Sequence, residues 1–202
     1  MLLHENSIST GFSGLFWGHC ATAQQFRFGA KAGVNYSDSR VRGLTNDGTK
    51  PIVSYHCGAV GRYSFGADEF WNIQAELLYS RKGNQYEYTR QGNLGQNRFS
   101  YLELPLLAKI NARGFTFEAG PQLGYLVARK TTTDVITRDR AGLRRLLLGY
   151  VAGVGYELTS GYRLSIRYNG DVLPIVPGGG LFQGPTLSVF QAQLGYLFGK
   201  AK

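Results

Sequence analysis

The sequence predicts an all-β protein, an eight-stranded antiparallel up-and-down transmembrane β-barrel. From Gln25 to the C-terminus, apolar residues recur at every second position, and Phe, Tyr or Trp tends to stand near both ends of each such stretch. Alternation with a period of two places the apolar side chains on one face of a strand and the polar ones on the other. An outer-membrane barrel turns its apolar face to lipid and carries aromatic girdles at the two membrane interfaces.

Length and composition agree with this class. A chain of 202 residues suits one domain, and 28 glycines with 13% aromatic residues favour closely approaching strands over a helical bundle. The longest apolar run, residues 146–156, is too short and too rich in glycine for a transmembrane helix, which needs about 20 apolar residues. The net charge of +9 comes from scattered lysines and arginines that form no basic block, so we expect anionic lipid and no nucleic acid as their counterpart.

Residues 1–23 are predicted to be a signal peptide. The apolar stretch 11–20 precedes an A-x-A pattern ending at Ala23, which signal peptidase would accept, although the n-region contains no lysine or arginine. The barrel domain is then expected over residues 24–202. Its one thiol, Cys57, is interpreted as a small apolar residue on the lipid face.

Eight strand-like segments follow one another along the mature chain. Each is close to the ~9 to 11 residues that a tilted strand needs to cross a bilayer. Their expected spans are 25–36, 53–65, 70–80, 98–110, 115–128, 145–158, 162–172 and 186–198.

The connections between these segments alternate in length. Long ones are expected at 37–52, 81–97, 129–144 and 173–185, and short ones at 66–69, 111–114 and 159–161. Barrels of this class have short periplasmic turns and longer outer loops, so the alternation predicts that both termini are periplasmic.

The first strand shows the two faces clearly, because Phe26, Phe28 and Val34 share one face while Arg27 and Lys31 share the other. The residues that we predict to face lipid on the later strands are almost all uncharged. They are Val53, Tyr55, Ala59, Tyr63, Phe65, Trp71, Ile73, Ala75, Leu77, Tyr79, Phe115, Phe117, Ala119, Leu123, Tyr125, Leu146, Leu148, Tyr150, Val154, Tyr156, Tyr162, Leu164, Ile166, Tyr168, Phe190, Ala192, Leu194, Tyr196 and Phe198.

The opposite parity carries charges of both signs, and these residues are the candidate site. They are Arg27, Lys31, Arg62, Glu76, Glu103, Lys109, Glu118, Glu157, Arg163 and Arg167. Burying an isolated ion is very unfavourable, so we expect a network of salt bridges in the lumen. Eight strands leave an interior just wide enough for side chains, which favours a filled lumen over a diffusion pore. Inward glycines are expected to leave room for the long side chains or, in a looser interpretation, for a thread of water.

Two prolines fall within predicted strands. Pro105 and Pro121 each remove a donor from the ladder, and a closed barrel has no edge to accommodate them, so we expect β-bulges there. A bulge near Pro105 would shift the inward and outward assignment of Phe99 and Tyr101 by one place.

The sequence offers little for catalysis. His56, the only histidine after the leader, is expected to point inward near the outer rim, with Ser54 on the same face and Asp171 at the outer end of the seventh strand. Some small barrels are lipid-modifying hydrolases with a serine and a histidine at the rim. Nothing here fixes the geometry that a nucleophile and its base require, so we expect a solvated or hydrogen-bonded histidine and no enzyme. No metal-site spacing and no cofactor motif are present.

Four segments stand in a characteristic order: FGAKAGVNYS at 28–37, ELLYSRKG at 76–83, YLELPLLAK at 101–109 and EAGPQLGY at 118–125. Together they resemble the PorT-like family of small outer-membrane β-barrel proteins. The resemblance covers nearly all of the mature chain and implies an eight-stranded barrel in the outer membrane of a Gram-negative bacterium. Family members mostly have no known activity, although one branch is linked to assembly of a protein secretion system, and the resemblance supplies no catalytic residue.

Three classes of function are therefore open. The first, which we favour, is a non-enzymatic barrel that serves as a structural element, an assembly accessory or an interaction protein through its loops. The second is a narrow channel for ions or small solutes, and the third is a soluble, lipocalin-like binding barrel, which requires an apolar interior. The partners expected for the first class are outer-membrane lipid and lipopolysaccharide, and another envelope protein contacted through the long loops.

Overall fold

The computed structural model describes residues 25–41, 49–66, 68–87, 94–133, 136–137, 142–176 and 185–199. The predicted signal peptide lies outside these residues. Nine strands are present in the described ranges: β1 (Gln25–Val41), β2 (Thr49–Phe65), β3 (Trp71–Glu87), β4 (Leu94–Ala112), β5 (Phe115–Thr132), β6 (Ile136–Thr137), β7 (Leu146–Glu157), β8 (Tyr162–Asp171) and β9 (Pro185–Leu197).

Eight of these strands form a closed ring, and the two-residue β6 pairs only with the end of β5. Each ring strand is antiparallel to the ring strand that follows it, and β1 pairs with β9 to close the sheet. The predicted eight-stranded antiparallel barrel is confirmed. Among the described residues, no helix is long and apolar enough to cross a membrane.

The two ends of the barrel differ. At the end that we call the turn end, the strands begin and finish within two residues of the predicted positions, and tight turns join them. Gly114 and Gly161 adopt φ values of 89° and 91° in two of these turns. That left-handed conformation is one that glycine adopts without steric cost.

At the opposite end, the loop end, β1 to β5 are longer than predicted. The residues expected as long loops at 37–52 and 81–97 are largely strand, because β1 continues to Val41 and β3 to Glu87. Polar pairs such as Asn84 and Asn97 occupy matching positions in the ladder. Backbone pairing needs no apolar face, so the hydrophobic pattern ends before the strands do.

Side-chain parity follows the prediction around the ring. The predicted lipid-facing residues are exposed or partly exposed on the outer surface, including Cys57. Outward aromatic residues form a ring near each end of the barrel. The turn-end ring contains Phe26, Phe28, Tyr63, Phe65, Phe70, Trp71, Phe115, Phe117, Tyr156, Tyr162, Tyr196 and Phe198. The loop-end ring contains Tyr36, Tyr55, Tyr79, Tyr125, Tyr150, Tyr168 and Phe190.

The bulges expected at the two prolines are not there. Pro105 pairs with Gln122, and three residues further along Ala108 pairs with Ala119, so β4 and β5 keep one register across both prolines. The register shifts instead near Val127, an extra residue on β5 opposite the step between Ser100 and Tyr101. A second shift lies in β2 between Pro51 and His56. Each proline instead interrupts one ladder without shifting it: β4 lacks paired positions with β3 beside Pro105, and β5 lacks them with β4 beside Pro121.

Tyr101 and Phe99 keep the inward parity of Glu103. Both rings are buried in a small apolar cluster at the loop end of the lumen, together with Leu126, Leu147, Ile175 and Leu187. The lumen is therefore not polar throughout, because apolar side chains pack together near its loop end.

Candidate functional site

The ten charged residues predicted for the lumen all lie on its inner face. Glu157 is partly buried and the other nine are buried. Alternation along each strand sets this orientation, and ring closure then brings distant strands together across a narrow interior. The charges form three groups along the barrel axis.

The middle group centres on Glu76 of β3. Its carboxylate accepts hydrogen bonds from Lys31 Nζ at 2.5 Å and from Arg167 Nη1 and Nη2 at 2.8 and 2.7 Å. Arg167 also donates through Nε to Glu118, and Gln74 donates to Glu76. The side chains of Lys31, Glu76, Glu118 and Arg167 are at most 1% exposed.

The turn-end group centres on Glu157 of β7. Arg62 donates to both of its oxygens, at 2.5 and 2.7 Å, which is the bidentate geometry that strengthens guanidinium pairs. Arg27 pairs with Glu69, a residue of the turn before β3, and lies 3.9 Å from Glu157. Glu69 was not predicted as part of the site, because a glutamate in a short turn ordinarily faces solvent.

The third group lies on the loop side of Glu76. Lys82 Nζ is 2.5 Å from Glu103 Oε1 and 3.9 Å from Asp171 Oδ1. It also lies 5.7 Å from the ring centre of Tyr101. Lys82 was assigned to a loop from the sequence, and the extension of β3 is what turns this residue into the lumen.

Two of the predicted cations are held less tightly. Arg163 donates to Gln74 Oε1 at 2.7 Å and forms no ion pair with a carboxylate of the described ranges. Lys109 Nζ lies 3.7 Å from Glu157 and 3.9 Å from Glu118, and no protein atom of the described segments accepts a hydrogen bond from it. Both oxygens of Glu76, at the centre of the network, are hydrogen-bonded, while Lys109 Nζ and the nearby Glu118 Oε2 have no hydrogen-bond partner among the described residues.

Gly153 makes space for the middle group. A Cβ atom at this position would lie 2.7 Å from Arg167 Cγ and 3.3 Å from Glu118 Oε1. Any larger residue would therefore displace the Arg167 side chain from Glu118. This contact is an instance of the expected role of the inward glycines.

His56 is buried, and its surroundings do not resemble a catalytic centre. Its Nδ1 lies 2.7 Å from Asn35 Oδ1 and its Nε2 lies 3.1 Å from Gln193 Oε1. The Ser54 hydroxyl instead donates to the backbone carbonyl of Arg81 at 2.5 Å. The structure therefore pairs His56 with amide side chains and does not bring Ser54 into hydrogen-bond contact with it.

The arrangement as a whole neutralises buried charges of both signs. Each carboxylate of the middle and turn-end groups faces at least one cation, and the described residues contain no group of three His, Cys, Asp or Glu side chains that could hold a metal ion. Ions held in this way across the lumen tie opposite walls of the barrel together.

Comparisons with known proteins agree with the barrel architecture. The family model described as "Outer membrane protein beta-barrel domain" matches residues 22–171. Among curated proteins, none matches the sequence.

Solved structures of small outer-membrane proteins share the fold. Ail, the attachment invasion locus protein of Yersinia pestis, superposes with a TM-score of 0.50 at 13% identity, covering 86% of this chain and 99% of Ail. A second Ail structure, in complex with the heparin analogue sucrose octasulfate, gives a TM-score of 0.51 at 15% identity, with 86% and 99% coverage. Neisserial surface protein A superposes with a TM-score of 0.55 at 11% identity, covering 84% of this chain and 96% of that chain.

Proposed function

Because the chain belongs to the outer membrane protein beta-barrel domain family, we propose that it is a non-enzymatic barrel whose lumen is filled by its own side chains and which acts through its outer wall and its loop end. The outer membrane is where this family resides. The proposal covers a structural element, an accessory in assembly of another envelope component, or an interaction protein.

One observation carries the filled lumen. Glu76, Lys31 and Arg167 meet across the middle of the barrel at 2.5 to 2.8 Å, from strands β3, β1 and β8. A solute would have to separate these ions without water to replace their bonds, and breaking a buried pair is strongly unfavourable. The apolar cluster around Phe99 and Tyr101 adds a second obstruction at the loop end.

A narrow channel is the second candidate, and Lys109 is the observation that favours it. Its ammonium group, the Thr116 hydroxyl and Glu118 Oε2 are buried without hydrogen-bond partners among the described protein atoms. Three such atoms on neighbouring strands could hold a short file of water, which is the starting point for ion passage.

A lipocalin-like binder is disfavoured. Such a barrel encloses an apolar cavity, whereas here the middle of the lumen is occupied by ions and amides and large apolar residues cover the outside. Serine and histidine chemistry, which the sequence did not favour, likewise lacks support, since His56 is engaged with Asn35 and Gln193.

Three finer assignments complete the proposal. The resemblance to the PorT-like branch of small barrels supports a role in envelope assembly. The length difference between the two sets of connections supports a loop end outside the cell and both termini in the periplasm. The pattern ending at Ala23 supports export with removal of residues 1–23 and a mature barrel over 24–202.

Planar-bilayer recording tests the filled lumen. Wild-type protein should show no resolved current steps, because the ion pairs of Glu76 leave no continuous path. Steady current steps in wild type, with a cation-to-anion selectivity that changes in Lys109→Gln, would show that the protein is a channel and overturn the filled lumen. Lys50→Gln is the control, since Lys50 pairs with Glu87 on the exposed outer surface at the loop end.

Cysteine labelling in intact cells tests the orientation. In a Cys57→Ser background, Lys50→Cys reports on the loop end and Thr159→Cys on the turn end, both at exposed positions. A membrane-impermeant maleimide should label only the Lys50→Cys protein. Labelling of Thr159→Cys alone would reverse the orientation.

A further inference from the structure

A basic cleft lies on the outer wall of the barrel at the loop end, apart from the lumen. Its lining includes Arg81 of β3, Arg98 of β4 and Lys130 of β5, over the small residues Ser100 and Ala128. The cleft has a volume of about 340 Å³. None of the three cations forms an ion pair with a carboxylate in the part of the chain that the structure describes.

Strand register shows how the cations come together. Arg81 pairs with Ser100, and Ser100 pairs with Ala128, which gives one outward row. In the next outward row Arg98 pairs directly with Lys130. Arg81 is therefore a diagonal neighbour of Arg98, and all three side chains line the same cleft.

The bulge at Val127 creates this arrangement. Tyr125 faces outward, so without an extra residue the outward positions beyond it would be 127, 129 and 131. The bulge shifts the parity by one place, which turns Ala128 and Lys130 outward. Arg129 also borders the cleft, but its guanidinium carbon lies 5.9 Å from the centre of the Phe99 ring.

Two like charges directly opposite each other destabilise an antiparallel pair. Arg98 and Lys130 form such a pair, and Arg81 adds a third positive charge beside them. An anion between them would turn this repulsion into attraction. The like-charged pair that the bulge brings together therefore favours a bound anionic group.

The height of the cleft identifies the kind of anion. The outward row just below it is Tyr79, Leu102 and Tyr125, part of the loop-end aromatic ring. The guanidinium carbon of Arg81 lies 5.5 Å from the centre of the Tyr55 ring, another member of that ring. Aromatic girdles sit at headgroup level, so the cations stand where lipid phosphates lie.

From this geometry we propose that Arg81, Arg98 and Lys130 bind a phosphate of the lipid A part of lipopolysaccharide. Guanidinium groups suit phosphate because their donors match two of its oxygens at once. The choice of lipid rests on the proposed function, since lipopolysaccharide is the lipid of the outer leaflet and the loop end is proposed to face it. Ser100 and Ala128 leave space for the sugar that bears the phosphate.

Binding of purified, folded barrel in detergent to lipid A tests the proposal, with native mass spectrometry or a fluorescence titration as the readout. The double variant Arg98→Gln/Lys130→Gln should bind bisphosphorylated lipid A at least about tenfold more weakly than wild type, since each basic residue near an anionic surface contributes about fivefold. Lys50→Gln, which removes an exposed cation of the same loop end, should bind as wild type does. For lipid A stripped of both phosphates, wild type and double variant should bind equally.

Several results would overturn the assignment. If the double variant binds lipid A as tightly as wild type does, the cleft is not the binding site. If the double variant loses affinity for dephosphorylated lipid A to the same extent, phosphate is not the group recognised. Phosphatidylglycerol or inorganic phosphate competing as strongly as lipid A would assign the cleft to another source of phosphate.

Two controls keep the outcome interpretable. A variant is folded if its unboiled and boiled forms still migrate differently on a detergent gel. Arg98→Lys, which preserves the charge, should keep much of the wild-type affinity for lipid A. The measurement uses purified protein, so it does not depend on membrane orientation. Failure of the proposed orientation would appear only in the cysteine labelling.

Discussion

Replacing Glu76 by glutamine should destabilise the barrel strongly, because this carboxylate is the shared partner of two buried cations. Its side chain is fully buried and accepts hydrogen bonds from Lys31 and from both terminal nitrogens of Arg167. Glutamine keeps the shape and removes the charge. Arg167 retains Glu118, so Lys31 is the ion left without a carboxylate partner. Breaking a buried ion pair costs about 3 to 5 kcal/mol, and we expect a loss in that range.

Urea unfolding in lipid vesicles measures the loss, and a surface ion pair supplies the matched control. Glu87 pairs with Lys50 at 3.2 Å, but their side chains are 51% and 58% exposed. Glu87→Gln should therefore cost at most about 1 kcal/mol. Adding Lys31→Met to Glu76→Gln removes the stranded ion and should recover part of the stability. If Glu76→Gln costs no more than Glu87→Gln, the middle of the lumen is hydrated and the filled-lumen reasoning is wrong.

Three further predictions concern the barrel as a whole. Unboiled and boiled protein should migrate differently on a detergent gel, because a closed sheet satisfies its backbone donors internally; identical mobility with extraction into aqueous buffer would contradict a membrane barrel. Ile166→Arg, on the lipid face, should cost about 2 to 4 kcal/mol on refolding into lipid if its depth is near the midplane, whereas Thr132→Arg beyond the loop-end ring should cost far less; equal effects would contradict the assigned faces. The mature protein isolated from outer membranes should begin at Gln24, and N-terminal sequencing that finds any residue before Gln24 would refute cleavage after Ala23.

Side-chain parity was the part of the structure that the sequence could predict. A period of two is a local property, so Arg27, Glu76 and Arg167 could be assigned to the lumen without knowing their partners. Which charges meet is not local. Arg62 and Glu157 are 95 residues apart and lie on strands that do not pair, so their contact depends on how the ring closes.

The missed residues have different origins. The span of β3 was estimated from where apolar alternation ends, which left Lys82 in a loop. Asp171 was placed correctly at the outer end of its strand but was not grouped with the charges of the lumen. Glu69 lies in a turn, where periodicity carries no information. The bulge at Val127 has no proline or glycine to mark it, whereas Pro105 and Pro121 did carry that signal and keep the register.

The pairing of charges across the lumen also constrains how the protein enters a membrane. Arg167 and Glu76 are 91 residues apart and reach each other only when β1 has paired with β9. An open sheet that inserted early would carry unpaired ions into hydrocarbon, at about 2.5 to 3.5 kcal/mol for each arginine, lysine or aspartate at the centre of the bilayer. Curling, closure and insertion must therefore proceed together, and the same ions that lock the finished barrel act as a kinetic barrier against a half-assembled one.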